Sequence, residues 1–269
     1  MIPALTIERR ALEATPAIPG DVLSPSQVSS IMDCAYRWHA KQVLKMPEPA
    51  TPNQILGRAV HAALAANFEQ KCDSKVDLPA IGVLAVYREA WAVLSAETEF
   101  HDAEDPDALA KTGEALVSKY MDEAAPRIEP AAVEMRVEGV IAGVSVTGYI
   151  DLLDVDGCVI DIKTARARPS SINPMHRFQV ATYRYLTELA RGSGRIDTLV
   201  KTKTPQLIQQ TFSITEQELR AIHTIYPEAQ ALMRGNVHLP NRQSMFCSRR
   251  HCAYWRHCEQ KWGGEVPET

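Results

Sequence analysis

Two carboxylates and a lysine lie close together in the sequence, in a segment that predicts a β-hairpin. Asp151 stands near the end of a run in which polar and apolar residues alternate, and Asp161 follows ten positions later. Because side chains along a strand alternate between its two faces, Asp161 and Lys163 share one face. Carboxylate oxygens are ligands that Mg²⁺ and Mn²⁺ prefer, and a neighbouring lysine can orient a water molecule or neutralise charge on a phosphate.

The length of the turn decides whether the two aspartates meet. A two-residue turn would leave them on opposite faces, whereas a three-residue loop over 155–157, with Gly157 left-handed, places Asp151 directly opposite Asp161. Two carboxylates with β-carbons about 5 Å apart repel each other unless a cation compensates them. Lys163 supplies part of this compensation and a divalent metal would supply the rest. The alternative is a solvated hairpin face with ordinary charges.

This hairpin resembles the catalytic core of the PD-(D/E)XK nuclease superfamily, in which a G-x-x-D strand precedes a D/E-x-K strand. Two helical segments resemble the RecB-like branch. The segment 57–64 carries His61 at the position of the histidine in the branch's upstream motif, and Gln179 and Tyr183 match its Q-x-x-x-Y helix. The sequence departs from the commoner pattern, with isoleucine before Asp151 where many relatives have proline, and Asp161 in place of glutamate.

The resemblance implies a role for each of these residues. Asp151, Asp161 and the backbone carbonyl of Ile162 are the expected ligands of Mg²⁺ or Mn²⁺, and His61 completes the metal site. Lys163 is the expected catalytic lysine. The remaining two motif residues are expected to position the scissile strand or brace the hairpin: Gln179 and Tyr183.

Four cysteines form a second candidate metal site. Cys247, Cys252 and Cys258 lie within twelve residues, and Cys34 is more than 200 positions upstream. Such clustering indicates metal ligation rather than disulfides, and four thiolates can hold either a [4Fe–4S] cluster or zinc. The split pattern resembles the iron–sulfur nucleases of AddB and of CRISPR adaptation, which implies a [4Fe–4S] cluster that clips the C-terminus onto the first helix. Many relatives have two residues, not four, between the first two cysteines of the trio.

Composition places the chain among globular proteins. It has 269 residues, 45% of them hydrophobic, and a net charge of −4. It has no apolar run of the roughly 20 residues that a membrane span needs, and its N-terminus does not resemble a secretory signal, so we expect a cytoplasmic protein without membrane contact.

Charge is distributed unevenly along the chain. Residues 68–130 carry a net charge of −8, whereas residues 161–203 carry +6. A local basic field of this kind can hold a phosphate backbone, although a solvated polar face is the alternative. The predicted DNA contacts in the basic segment are Arg166, Arg168, Arg177 and Arg184.

The pattern of elements predicts an α/β fold with a restriction-endonuclease-like mixed central sheet flanked by helices, an N-terminal helical lobe and a C-terminal cysteine clip. Residues 1–23 are expected to be a loose arm and 24–269 a single nuclease domain. Within the domain we expect a helical part (24–130), a catalytic α/β core (131–240) and a cluster segment (241–269) that binds with Cys34. Helices are predicted from Ser24 through Cys34 to Trp38 and over about 53–70, 79–97, 106–123, 174–191 and 215–234, and strands over 133–140, the hairpin, 196–203 and 207–214.

These features together predict a metal-dependent deoxyribonuclease that acts as an exonuclease on single-stranded DNA ends. The chain has no Walker A pattern, so we expect a separate helicase, recombinase or integration complex as partner. Two alternatives stay open: a DNA-end-binding or scaffolding subunit with little cleavage, and a binding module stapled by zinc.

Overall fold

The computed structural model describes residues 21–100, 104–187, 193–235 and 237–268. They form a mixed sheet flanked by helices, which confirms the predicted fold class. The strands are β1 (Val22–Leu23), β2 (Pro130–Ile141), β3 (Val144–Asp154), β4 (Val159–Ala165), β5 (Ser193–Val200) and β6 (Gln206–Ser213). The helices are α1 (Pro25–Asp33), α2 (Ala35–Gln42), α3 (Pro52–Ser74), α4 (Ala80–Ala96), α5 (Pro106–Glu123), α6 (Pro174–Thr187), α7 (Glu216–Arg234) and α8 (Trp255–Trp262). No helix within the described ranges is long and apolar enough to cross a membrane.

The sheet is organised around β3. Strand β2 pairs antiparallel with β3 along nearly its whole length. The short strand β1 pairs with the start of β3, at Ser145 and Val146, and β4 pairs with its end, at Leu152 and Leu153. Strand β5 then runs parallel to β4, and β6 closes the sheet antiparallel to β5. The middle of β3 therefore pairs with β2 on one side and with neither β1 nor β4 on the other.

Helices cover both faces of the sheet. The helical lobe, α3 to α5, packs on one face through side chains such as Leu56, Leu64 and Tyr120, which are at most 1% exposed. On the other face, α1, α6 and α7 bury a second apolar layer that includes Ala181 and Tyr226. The site described below receives side chains from both layers, His61 from α3 and Gln179 from α6.

The structure corrects several element boundaries. Val22 and Leu23, assigned to a loose arm, form β1; residues 1–20 of that arm lie outside the described residues. The first predicted helix is two helices, because Cys34 has extended backbone angles (φ −153°) and ends α1 while capping α2. Helix α6 is described to Thr187, and its predicted end at 191 lies outside the described residues. Helix α8, inside the cluster segment, was not predicted.

Candidate active site

The hairpin of β3 and β4 has the three-residue loop that brings the aspartates together. The amide of Asp154 donates to the carbonyl of Cys158 over 3.0 Å, and Gly157 has a φ of 81°, the left-handed conformation that glycine adopts freely. The pairing of Leu152 with Ile160 makes Asp151 and Asp161 the next pair in register. The longer of the two candidate loops is therefore confirmed.

Strands β3 and β4 separate at Asp151 and Asp161, just beyond the pair Leu152–Ile160, and the site lies in the resulting fork between the two strands. At this point the backbone ladder is replaced by a side chain: the amide of Ile162 donates to Oδ2 of Asp151 over 2.8 Å. Asp161 is 2% exposed, and its Oδ1 accepts from Nζ of Lys163 over 2.7 Å. Its Oδ2 is buried without a hydrogen-bond partner among the described residues. A buried carboxylate oxygen without a partner is costly, and it is the atom left free for a cation.

Helix α6 closes one side of the fork. Gln179 donates from Nε2 to Oδ1 of Asp161 over 3.0 Å and to Oη of Tyr183 over 3.2 Å. Tyr183 lies against Gly148 of β3, where an added Cβ would be only 2.4 Å from the Cε1 atom of the tyrosine ring. The glycine of the G-x-x-D strand thus admits the ring, and the ring and the glutamine together fix the orientation of Asp161.

A third carboxylate, which the sequence analysis left without a role, lies on the other side of Asp151. Glu134 of β2 stands between the pairs Val133–Leu152 and Met135–Ile150, and so lies opposite Asp151 on the neighbouring strand. One oxygen or nitrogen of each of His61, Glu134 and Asp151 lies within 4.8 Å of the others, an arrangement suited to a metal ion. His61, from α3, has its Nδ1 3.7 Å from Oδ2 of Asp151.

The backbone at Glu134 is unusual and explains why its side chain reaches the site. Its φ is 45°, which is uncommon for a residue other than glycine and costs of order 1–3 kcal/mol. Val133 packs into the core under the helical lobe, whereas Met135 packs into the core under α6, although residues two apart in a regular strand share a face. The strand is therefore locally twisted, and this twist presents Glu134 to Asp151.

The electrostatics of the fork show an excess of negative charge. Burial, with a contribution from the neighbouring charge of Asp151, outweighs the opposing effect of Lys163 and raises the pKa of Asp161 to about 6. Burial and the charge of Asp151 also raise the pKa of Glu134. Burial lowers the pKa of Lys163, but the charges of Asp161 and Asp151 outweigh burial, so that its pKa is raised and the lysine is a cation. One lysine does not offset three carboxylates, so the site favours a further cation.

The four predicted DNA-contacting arginines have different surroundings. Arg166 and Arg168 are exposed just beyond the end of β4. Arg177 is instead engaged by Glu218, which accepts from its Nε, and its guanidinium lies 4.2 Å from the ring centroid of Phe212. Arg184 lies partly buried on α6. Of the four predicted arginines, Arg166 and Arg168 are therefore the two that the structure leaves exposed.

The four cysteines line one pocket between the N-terminal helices and the C-terminal segment. We call it the cysteine pocket: Cys34, Cys247, Cys252 and Cys258. Burial, together with the charges of the other three sulfurs, raises the pKa of Cys258 to about 11 against the opposing effect of Arg242, which indicates that all four share one environment. Of the described residues, which include all four cysteines, no three cysteine sulfurs lie together within 4.8 Å.

Comparison with protein families identifies the class of the protein. The PD-(D/E)XK nuclease superfamily is matched over residues 22–259. That range covers most of the chain, so the chain belongs to this superfamily, and the predicted resemblance is confirmed at that level. A comparison with curated proteins found no match.

Comparison with solved structures supports the fold. The crystal structure of a proposed exonuclease from Eubacterium rectale matches with a TM-score of 0.59 and 12% identity, covering 93% of this chain and 91% of that chain. The crystal structure of SSO0001 matches over 88% of this chain and 95% of that chain, with 13% identity and a TM-score of 0.37, which is too low to support an argument.

Proposed function

We propose that this protein is a metal-dependent deoxyribonuclease, and that it degrades single-stranded DNA from its ends. The observation that carries the proposal is the fork itself, where Asp151 lies between Glu134 and Asp161 and Lys163 is bonded to Asp161 alone, which leaves an uncompensated negative charge. A subunit that only binds DNA would gain nothing from carboxylates placed in this way, because they repel the phosphate backbone.

The residues of the fork fit a hard divalent cation, Mg²⁺ or Mn²⁺. Oxygen atoms of Asp151 and Glu134 and a ring nitrogen of His61 are already grouped within 4.8 Å, and Oδ2 of Asp161 is buried without a partner. The expected set His61, Asp151, Asp161 and the carbonyl of Ile162 is thus extended by Glu134. Imidazole among the ligands favours Mn²⁺ over Mg²⁺. When bound, such an ion activates a water nucleophile and stabilises charge on the phosphate.

The remaining groups of the fork position the reactants. Lys163 carries a positive charge, and Asp161 holds its ammonium in place over 2.7 Å. The ammonium can donate to a nonbridging oxygen of the scissile phosphate, where negative charge increases as the bond breaks. Gln179 and Tyr183 act indirectly, because they orient Asp161 and do not contact the phosphate. The main chain of Ile162 is fixed by its bond to Asp151, which holds β3 and β4 at a constant separation.

We further propose that the protein belongs to the RecB-like branch and that the cysteine pocket holds a [4Fe–4S] cluster. Four thiolates that line one pocket can hold either a [4Fe–4S] cluster or zinc, and the remote position of Cys34 in the split pattern favours the cluster. The C-terminal segment is already joined to the first helices, since the amide of Asn241 donates to Sγ of Cys34 over 3.4 Å and its side chain donates to the carbonyl of Asp33 over 2.8 Å. A cluster would complete this clip. Protein purified without oxygen should be brown and contain iron and sulfide, whereas colourless protein with one zinc would contradict the cluster.

The proposed biological setting follows from the same features. We propose that the chain from β1 through the C-terminal cluster segment forms one nuclease domain and that the protein works in the cytoplasm with a separate helicase, recombinase or integration complex. A solved structure of similar fold is described as a proposed exonuclease, which is consistent with attack on the ends of a strand.

The test is the cleavage of single- and double-stranded oligonucleotides labelled at either end, in Mg²⁺ and in Mn²⁺. Mononucleotides or short oligonucleotides released from one labelled end of single strands would support the proposal and give the polarity. Cleavage of circular single-stranded DNA at a comparable rate would exclude an obligatory exonuclease. Protein that binds these oligonucleotides without cutting them would indicate a DNA-end-binding or scaffolding subunit.

A further inference from the structure

Two cations without a carboxylate partner stand side by side at the end of the sheet next to the fork. Arg166 directly follows β4 and Lys201 directly follows β5, and these parallel strands are in register up to the pair Ala165–Val200. The amide of Lys201 still donates to the carbonyl of Ala165 over 2.8 Å, so the parallel course continues to this point. Within the described part of the chain, neither cation has an acidic group within ion-pair distance.

The start of α3 adds a third electropositive element. Nζ of Lys201 donates to Oδ1 of Asn53 over 2.5 Å. Asn53 lies in the first turn of α3, a helix of 23 residues whose dipole is positive at this end. Pro52 has no N–H and Thr51 already accepts from the amide of Gln54, so the dipole rather than a set of free amides supplies the positive potential. Burial lowers the pKa of Lys201, and the charge of Arg166 lowers it further. Because Arg166 and Lys201 repel each other, their proximity indicates a site where an anion would bind between them.

The distance from Arg166 and Lys201 to the fork can be estimated along α3 and along β4. From His61 back to Asn53 is eight residues of helix, or about 12 Å. From Lys163 to Arg166 is three residues of strand, or about 10 Å. Gly57, halfway along the helical path, lies against Thr164, halfway along the strand path, because a Cβ at Gly57 would be 3.2 Å from Oγ1 of Thr164. The helix and the strand thus run side by side from the fork to the cluster.

We propose that Arg166, Lys201 and the first turn of α3 form a second phosphate-binding subsite, which holds a backbone phosphate of the same DNA strand about 10–12 Å from the scissile phosphate. This subsite rests on the proposed function and adds to it. The bound phosphate is either an internal one or the terminal phosphate of a DNA end, since both present the same oxygen atoms. In both cases the subsite sets the register in which the strand enters the fork, and it determines the length of the released products.

The test is the salt dependence of binding of a fluorescent single-stranded oligonucleotide, with Ca²⁺ in place of the catalytic metal. Each phosphate contact that is lost should reduce the slope of log K against log salt concentration by about 0.7. We expect this reduction and about tenfold weaker binding for Arg166→Gln and for Lys201→Gln. Lys111→Gln is the matched control, because it removes one exposed charge on α5 and should leave the slope unchanged.

The outcomes separate the subsite from the proposed nuclease activity. If both variants keep the slope of the wild type, the subsite is wrong, whether or not the protein cuts DNA. If the slopes fall but the wild type cuts nothing in Mn²⁺, the subsite stands and the nuclease proposal fails. Because Arg166 is exposed, its variant should fold normally, and a thermal melt checks this. A change of slope with circular strands identifies an internal phosphate, and a change only with 5′- or 3′-phosphorylated linear strands identifies a terminal one.

Discussion

The charge on Asp161 should make the metal-free protein less stable at neutral pH than in mild acid. Its pKa is raised by burial from the ordinary value of 3.8 to about 6 in the folded protein. Between these two pH values the folded state binds more protons than the unfolded state, so the free energy of unfolding decreases as pH rises and becomes level above about pH 6. At 1.36 kcal/mol for each pH unit, the full effect is about 3 kcal/mol.

The comparison with Asp161→Asn isolates this effect from all other titrations. We would measure urea unfolding in EDTA from pH 4 to pH 8 for the wild type, for Asp161→Asn and for the control Asp122→Asn, which changes an exposed acid on α5. The free energy of unfolding of the wild type relative to Asp161→Asn should change by about 2.4 kcal/mol between pH 4 and pH 7, because part of the full effect falls below pH 4. Saturating Mn²⁺ should reverse the sign for the wild type, because the ion binds the deprotonated carboxylate. A difference that is independent of pH would refute the assignment of a strained, ionised Asp161 to the fork.

Three further substitutions test other parts of the site. Gly148→Ala should displace Tyr183, lower the free energy of unfolding by about 1–3 kcal/mol and reduce cleavage, whereas Gly82→Ala, where nothing lies within 4 Å of the new atom, should be neutral or stabilising in a melt. His61→Ala should weaken activity mainly through metal affinity, so that excess Mn²⁺ restores part of the rate; absence of rescue at every concentration would argue against a ligand role. Cys34→Ala should lower the thermal midpoint and lose iron, and a stable variant that keeps its iron would contradict the clip.

The sequence predicted the features that depend on local geometry. The turn at Gly157 and the alternation of polar residues in β3 limited Asp151 to two positions relative to Asp161, and the resemblance favoured the one that the structure has. The spacing of Gln179 and Tyr183 put both on one side of α6. Each of these predictions depends only on residues within about a turn of helix or one hairpin, where the backbone permits few alternatives.

The sequence analysis gave Glu134 no role, although the sequence contains a signal for its position. The turn between β2 and β3 consists of Ala142 and Gly143, both with positive φ, and it pairs Ile141 with Val144. Counting back from that pair places Glu134 opposite Asp151. The positive φ of Glu134 has no signature in the sequence, because it results from the packing of its two neighbours into different cores.

Features that depend on long-range packing could not be predicted. The sequence placed Arg177 in a basic DNA-binding segment, but the fold brings Glu218 of α7 and Phe212 of β6 to its guanidinium. The break between α1 and α2 likewise occurs at Cys34, where the chain turns toward the C-terminal segment more than 200 residues away. Local propensity favours a continuous helix there, and tertiary contacts override it.

The most direct test of the active site is cleavage of single-stranded DNA in Mn²⁺ by the wild type and by Lys163→Ala, with Lys111→Ala as a matched control. Both variants should fold like the wild type in a thermal melt. We expect metal-dependent cleavage by the wild type and the control, lost by at least a hundredfold when the lysine of the fork is removed. Undiminished cleavage by folded Lys163→Ala would contradict the assignment of the active site to this fork.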